Sequence, residues 1–238
     1  MKLLIGFLLL TLAYIFYQGI RINQLRIISG GLVEKATPFQ QEPDNPSKRV
    51  LIIGDSLQAG VGASSPANSM AGLLGSDHPD WEIVNLAVSG FETGDALEKL
   101  ENSDERDFDL VIVQIGANDI FHRKNLDQAT DNLQQLLELV KIRSDKVLYV
   151  TSGSVGYPPL MPLPADWYFT ARSQRFIPEF IQVAQELDIP VLDNYRDREI
   201  DIFETNPDLY YAADKFHLSD AGYLIWYERL QEKLKDID

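Results

Sequence analysis

One stretch of the 238-residue sequence decides the fold that we predict, Val50-Leu51-Ile52-Ile53-Gly54-Asp55-Ser56-Leu57. It begins with four aliphatic residues, three of them β-branched, and then changes to glycine and polar residues. This pattern is typical of a short, fully buried strand that ends in a turn, and such strands belong to parallel sheets covered by helices on both faces. We therefore expect Val50 to Gly54 to be a central strand, with Ser56 directly beyond its carboxyl end.

Four further apolar runs complete the predicted sheet. They are Trp81 to Val88, Leu110 to Ile115, Val147 to Thr151 and Pro190 to Leu192. Each is followed by a loop and then by a helical segment. The clearest helical stripes, with apolar residues at steps of three and four, are Leu126, Ala129, Leu133, Leu136, Leu137 and Val140, then Phe176, Ile177, Phe180, Ile181, Ala184 and Leu187, and finally Tyr223, Trp226, Tyr227, Leu230 and Leu234 behind an N-cap at Ser219. The alternation predicts one doubly wound α/β domain of three layers with five parallel strands.

The composition excludes several classes of function. A formal net charge of −15 and the lack of a basic run argue against a nucleic-acid partner, because phosphate binding needs clustered Lys and Arg. The absence of cysteine excludes disulfides, thiol nucleophiles and cysteine-ligated metals. A catalytic nucleophile in this chain must therefore be oxygen or nitrogen. The composition leaves the oligomeric state open.

The N-terminal segment differs sharply from the rest of the chain. The stretch from Leu3 to Ile20 carries no charge and is about as long as a helix that spans a bilayer. We predict an uncleaved transmembrane anchor over residues 1–22. The alternatives are a cleaved signal peptide, which would need small residues before its cleavage site, and a buried helix. Charges flanking the segment, Lys2 before it and Arg21 and Arg26 after it, nearly balance and do not fix its orientation.

A linker over residues 23–48 is predicted to join this anchor to a folded domain of residues 49–238. Pro38, Pro43 and Pro46 lie among polar residues in its second half. Such a composition is typical of an extended tether.

Three predicted strands end in residues suited to acyl transfer. Ser56 follows the first strand, Gly90 the second and Asn118 the third. In a sheet of order 2-1-3-4-5, these three tips meet at the edge where open α/β sheets bind ligands. The backbone N–H groups of Ser56 and Gly90 and the side-chain amide of Asn118 are neutral donors suited to an oxyanion beside a serine nucleophile.

A base for this nucleophile is predicted near the C-terminus. His217 is one of three histidines and stands just before the last predicted helix, three residues after Asp214. A carboxylate at that spacing can accept the N–H of one ring nitrogen, which leaves the other free to take the proton of Ser56.

With these residues the chain resembles the SGNH (GDSL-type) hydrolase family. The matching blocks are Gly54-Asp55-Ser56-Leu57, Asn85 to Gly90, Gly116-Ala117-Asn118-Asp119 and Asp214-Lys215-Phe216-His217, in the family's order and across the whole predicted domain. The resemblance implies a flavodoxin-like α/β/α sandwich of strand order 2-1-3-4-5 and no metal or organic cofactor. It also implies a triad of Ser56, Asp214 and His217, and an oxyanion hole formed by Ser56, Gly90 and Asn118. The stretch from Gly54 to Gly60 is further similar to the branch of acyl thioesterases and lysophospholipases.

The expected reaction is hydrolysis of a carboxyl ester through an acyl-serine intermediate. Activity should fall on acidification, because His217 must start neutral. An acylated lipid, a thioester or an O-acetylated glycan could each be the substrate. One alternative is an acyltransferase that uses Ser56. Another is a nucleotide-binding module with a G-x-G-x-x-G motif that starts at Gly60. Ser65 stands at the position of the last glycine of that motif, which argues against the second alternative. Since anchored hydrolases of this kind are most often exported, we expect an extracytoplasmic domain.

Other polar residues near these blocks have simpler interpretations. Asp55 and Asp119 are expected to brace their loops, and His78 to lie in a turn. His122 is expected at the surface, although it follows the Asn118 loop.

Two long loops at the same edge are rich in apolar residues. The first, Gly153 to Phe169, is predicted either to wall an acyl or alcohol pocket or to pack back over the sheet. The second, Asn194 to Ala213, must hold Asp214 in place.

Overall fold

The computed structural model describes residues 2–237 and contains a five-stranded parallel sheet of order β2-β1-β3-β4-β5. The strands are β1 (Lys48–Gly54), β2 (Trp81–Asn85), β3 (Leu110–Gln114), β4 (Val147–Val150) and β5 (Val191–Leu192). In the central pairings, Val50 lies opposite Ile83 of β2 and Leu110 of β3. The predicted fold, strand number and strand order are confirmed.

Helices cover both faces of the sheet. They are α1 (Lys2–Lys35), α2 (Met70–Asp77), α3 (Thr93–Glu101), α4 (Ala117–Phe121), α5 (Leu126–Lys141), α6 (Ala165–Glu186), α7 (Ile202–Thr205), α8 (Pro207–Tyr210) and α9 (Asp220–Leu234). Buried residues of α3, α5 and α6 pack with Leu51 and Ile53 on one face of β1, and those of α2 and α9 pack with Val50 and Ile52 on the other. The continuous apolar run in β1 is thus explained by burial on both sides.

Strand β2 ends three residues earlier than the apolar pattern predicts. The side chain of Asn85 accepts a hydrogen bond from the backbone N–H of Ala87 and donates one to the carbonyl of Gln58. This local turn ends the regular strand at Asn85, although the N–H groups of Leu86 and Val88 still donate to the carbonyls of Ile52 and Gly54 in β1. The predicted segment from Leu86 to Val88 is therefore loop.

Helix α6 begins earlier than predicted. It starts at Ala165, so Trp167, Tyr168 and Phe169, which were predicted to lie in a loop, form its first turns. The amphipathic stripe starts only at Phe176 because the first turns of the helix are largely exposed and carry no buried residue before Ser173. The loop that follows β4 is correspondingly shorter.

Helix α1 continues beyond the predicted anchor. It runs to Lys35 because no proline interrupts the segment before Pro38. None of its described residues is buried, which contradicts the alternative of a buried helix. Leu32 at its C-terminal end and Ala36 just beyond the helix are partly buried against Ala59 and Val61, in the turn that follows Ser56.

The second half of the predicted linker is attached to the sheet. Gln41 forms an antiparallel bridge with Ile83 through backbone hydrogen bonds of 3.1 and 2.8 Å. Its side-chain amide also donates to the carbonyls of His78 and Trp81. The segment therefore pairs with the edge strand β2 instead of forming a free tether.

Candidate active site

Ser56 lies in a tight turn that immediately follows β1. The carboxylate of Asp55 accepts the backbone N–H of Leu57 at 3.0 Å, and the carbonyl of Ser56 accepts the N–H of Val61 at 2.9 Å. A side chain on Gly54 would stand 2.6 Å from the carbonyl of Gln114, so only glycine lets β1 lie this close to β3 before the turn. The turn fixes the position of Ser56, which is 9% exposed.

The imidazole of His217 lies between Ser56 and Asp214. Its Nε2 is 3.1 Å from Ser56 Oγ, and its Nδ1 is 2.6 Å from Asp214 Oδ2. The other oxygen of Asp214 accepts the backbone N–H groups of Phe216 and His217. The aspartate is thus held by the same short segment that carries the histidine, as the three-residue spacing predicts.

A neighbouring loop holds this segment against the serine turn. Tyr211 and Leu218 form an antiparallel bridge on either side of it, and Ala212 donates its N–H to the carbonyl of His217 at 2.7 Å. Gly62, with φ +97°, lies so close that an added Cβ would stand 2.3 Å from the Leu218 carbonyl. The glycine lets the serine turn and the histidine segment touch.

The electrostatics of the three buried carboxylates differ. Burial opposes the charge of Asp214, but hydrogen bonds from the ring and backbone of His217 outweigh it, and the pKa of Asp214 lies below its usual range. Burial raises the pKa of Asp55 to about 6 and the pKa of Asp119 also to about 6. At a pH at which Asp55 and Asp119 take up protons, Asp214 therefore stays ionised.

The donors predicted for an oxyanion are the backbone N–H groups of Ser56 and Gly90 and the side-chain amide of Asn118. Within the described residues, the backbone N–H groups of Ser56 and Gly90 donate to no other group. Asn118 donates one N–H of its amide to the carbonyl of Phe91 at 2.9 Å, which orients the group and leaves its second N–H available. Gly90 has φ +88° and no heavy atom within 4 Å of an added Cβ, so its backbone conformation, and not a close approach, favours glycine.

The remaining polar residues predicted near the site have structural contacts. Asp119 accepts hydrogen bonds from the N–H and the hydroxyl of Thr93. His122 is partly exposed and pairs with Glu92 at 2.8 Å, and His78 stacks on Trp81. Within residues 2–237, no three His, Asp or Glu side chains are grouped so that they could hold a metal ion.

An open cavity is lined by Ser56, Asn118 and His217. Its apolar wall is formed by Val155, Pro158, Phe203, Tyr211, Leu218 and Trp226. Its polar wall is formed by Ser152, Ser154, Asn194 and Asp201. Both long loops therefore contribute, although Leu163, Trp167 and Tyr168 of the first do not line the cavity and are exposed.

Several lining residues were not singled out in the sequence, Trp226 and Asn194 among them. Trp226 belongs to the helical stripe of α9 and was predicted to be core only. Asn194 follows β5 and is 2% exposed, and its Oδ1 has no hydrogen-bond partner among the described residues. Its position after the last strand, at the edge where ligands bind, was the one available signal.

Comparison with known proteins identifies the family of the chain. A family model described as the GDSL-like lipase/acylhydrolase family matches residues 52–225, which is more than half of the chain. The chain belongs to this family. Membership confirms the resemblance found in the sequence and places the chain among hydrolases that act on esters.

A curated relative is an arylesterase from Vibrio mimicus, 33% identical over 119 residues. The match covers 48% of this chain and 57% of the relative, so the chain spans little more than half of that protein's length.

Several solved structures share the fold. The psychrotrophic esterase EstA from Pseudoalteromonas sp. is 19% identical with a TM-score of 0.59, and the match covers 80% of this chain and 98% of that one. TesA is 21% identical with a TM-score of 0.63, covering 80% and 100%. The lipase/acylhydrolase from Enterococcus faecalis is 21% identical with a TM-score of 0.61, covering 79% and 96%. At these identities the likeness shows the fold alone.

Proposed function

We propose that this protein hydrolyses carboxyl esters, with Ser56 as nucleophile, His217 as general base and acid, and Asp214 as the group that orients the histidine. The observation that carries the proposal is the continuous chain of contacts from Ser56 Oγ through the imidazole to Asp214, 3.1 and 2.6 Å long. Serine hydroxyls are weak nucleophiles unless an adjacent base removes their proton.

The reaction proceeds in two halves. In the first, Ser56 Oγ attacks the ester carbonyl while His217 Nε2 takes the hydroxyl proton. The tetrahedral intermediate collapses, the alcohol leaves with that proton, and the acyl group stays on Ser56. In the second half, His217 activates a water molecule, which attacks the acyl-serine and releases the carboxylate.

Negative charge on the carbonyl oxygen is stabilised by the N–H groups of Ser56 and Gly90 and by the Asn118 amide. These donors are neutral, and the bond from Asn118 to Phe91 already orients its amide, so little reorganisation is needed there as charge develops. Ionised Asp214 stabilises the imidazolium in the same step. Asp55 and Asp119 have no role in proton transfer, since their carboxylates are engaged by Leu57 and Thr93.

The cavity favours an ester with one apolar part. Aromatic and aliphatic side chains dominate its wall, and the unpartnered Oδ1 of Asn194 offers one acceptor to a polar group of the substrate. Lipid, thioester and glycan esters remain the candidate substrates.

The test compares hydrolysis of chromogenic esters from acetyl to palmitoyl by the full chain in detergent and by Ser56→Ala. Removal of the nucleophile is expected to lower the rate of hydrolysis at least about 10³-fold. Ser76→Ala, at the exposed end of α2, is the matched control and should keep full activity. If Ser56→Ala retains activity, Ser56 is not the nucleophile; if only added alcohol acceptors yield product, the enzyme is an acyltransferase.

We also propose that α1 anchors the protein in a membrane, with the hydrolase domain outside the cytoplasm. An 18-residue window of α1 has a mean hydropathy of 2.0 and is 0% buried. A cleaved signal is the competing interpretation, but Tyr14 and Arg21 of the same helix donate to backbone carbonyls of the domain. N-terminal sequencing of the mature protein separates the two, and a C-terminal reporter fusion tests the orientation.

A further inference from the structure

Helix α1 touches the loop that forms one wall of the cavity. The hydroxyl of Tyr14 donates to the carbonyl of Leu163 at 3.2 Å. The guanidinium of Arg21 donates to the carbonyls of Pro159 and Leu160. The loop is therefore attached along two turns of the helix that we propose as the anchor.

These contacts fix the depth of the loop relative to a bilayer. Arg21 is the first charged residue after the apolar stretch, so it marks the membrane surface. Tyr14 lies seven residues earlier, about 10 Å deeper at the rise of an α-helix. Because Leu163 is bonded to Tyr14, the loop extends past the level of Arg21 toward the lipid.

The composition and exposure of this segment suit such a position. Among residues 159–168 the only charged side chain is Asp166, which is 13% exposed and lies 3.8 Å from Arg198. Leu163, Trp167 and Tyr168 are 50%, 68% and 48% exposed. Tryptophan and tyrosine are the residues that concentrate at membrane interfaces.

The same segment is connected to the active site on its other side. Pro158, next to Pro159, lines the cavity, and the N–H of Leu160 donates to the carbonyl of Lys215 at 2.9 Å, two residues before His217. Anything that fixes the segment at a lipid surface also places the mouth of the cavity there.

We propose that residues 159–168 dock into the interfacial layer of the bilayer that α1 spans, so that the active site takes esters presented at the lipid surface. The proposal rests on the proposed function of α1 as an anchor and of Ser56 as an esterase nucleophile. Its partner is the bilayer itself, continuous with the exposed apolar surface of the helix. Net charge favours zwitterionic lipid, because the chain carries −15.

Tryptophan fluorescence tests the docking directly. The other tryptophans, Trp81 and Trp226, are 7% and 5% exposed, so Trp167 is the most exposed of the three. The full chain is placed in phosphatidylcholine nanodiscs with or without bromine on the acyl chains. The emission difference between the natural protein and Trp167→Phe gives the contribution of Trp167.

Bromolipid is expected to quench most of the Trp167 contribution and to quench the emission of Trp167→Phe much less. Quenching of Trp167 by aqueous iodide but not by bromolipid would overturn the proposal. Carbonate extraction of the full chain is measured in parallel, and a chain released into the soluble fraction would refute the anchor and, with it, the docking.

Activity provides the second test. In the variant Leu163→Ser/Trp167→Ser/Tyr168→Ser, hydrolysis of a long-chain ester dissolved in the nanodisc should fall at least about tenfold, since apolar contact with lipid is removed. Hydrolysis of a short water-soluble ester should persist, because these side chains do not line the cavity. Ile142→Ser is the matched control: Ile142 is 79% exposed at the amino ends of the strands and should affect neither rate.

If the triple variant loses the same activity on both esters, or loses activity on neither, the docking proposal is wrong. If the natural protein hydrolyses neither ester, the proposed esterase activity fails, while the bromolipid result still decides whether the segment meets the bilayer.

Discussion

The Nε2 atom of His217 lies 3.1 Å from the Oγ atom of Ser56, although 161 positions separate the two residues in the chain. His217 lies between the partners of the Tyr211–Leu218 bridge, just before α9, and Ser56 lies in the turn that follows β1. Their contact depends on the parallel sheet, which brings the carboxyl ends of β1, β2 and β3 together, and on the close approach of the two loops at Gly62.

Replacement of Asp214 by Asn should reduce kcat by about 10⁴-fold, because an amide can donate to His217 Nδ1 and so stabilise the wrong tautomer. Its Oδ1 can still accept the N–H groups of Phe216 and His217, so the loop should keep its structure. Steady-state hydrolysis of a short chromogenic ester measures the loss. Asp208→Asn, at an exposed pair with Lys215, should stay within about twofold. A loss of only a few-fold in Asp214→Asn would refute the orienting role.

The Asn118 amide is predicted to act in the transition state and not in substrate binding. Asn118→Ala should lower kcat by about 10²- to 10³-fold with little change in KM. Asn118→Asp, which keeps the size but replaces the N–H donor with a charged acceptor, should lose at least as much. Full kinetics on the same ester distinguish the two parameters, and the exposed Asn102→Ala is the control. If KM rises while kcat is unchanged, Asn118 binds the ground state instead.

Much of the site could be predicted because its residues stand at strand ends. Ser56 and Asn118 each follow an apolar run that identifies a strand, and the parallel order brings these strand ends to one edge. His217 instead precedes the last helix, which its apolar stripe identifies. The role of Trp226 could not be predicted, since the face of α9 that lines the cavity is continuous with the face that packs in the core. Nor could the contact between Arg21 and Pro159, which spans 138 positions and follows no local pattern.

The close approach at Gly62 predicts a stability effect with a defined control. Gly62→Ala combines φ +97° with a Cβ placed 2.3 Å from the Leu218 carbonyl, so the free energy of unfolding should fall by about 2–4 kcal/mol. Gly153→Ala, whose nearest contact would be an ordinary 3.6 Å from Trp226, should change it by less than about 1 kcal/mol. Urea unfolding of the full chain in detergent measures both. Equal stability of the two variants would show that the loops can separate without penalty.

Burial of Asp55 predicts how stability depends on pH. Its folded pKa of about 6 exceeds the ordinary 3.8, so the folded protein holds a proton that the unfolded chain releases. Stabilisation from this group is therefore complete below pH 3.8 and is lost as pH rises to about 6. The raised pKa of Asp119 likewise makes the free energy of unfolding fall as pH rises. The lowered pKa of Asp214 has the opposite effect, and it acts only at the lower pH at which that carboxylate takes up its proton.

Asp55→Asn removes the contribution of Asp55 to the pH dependence of stability. Its side-chain oxygen can still accept the N–H of Leu57. Relative to the natural protein, the variant should gain on the order of 2–3 kcal/mol in unfolding free energy between pH 4 and pH 7.5. Urea unfolding of the full chain in detergent at the two pH values gives this difference. Asp131→Asn, on the exposed face of α5, is the matched control and should follow the natural protein. An identical pH dependence for Asp55→Asn and the natural protein would mean that Asp55 is ionised in the fold throughout this range, and that burial is offset by the turn at Leu57.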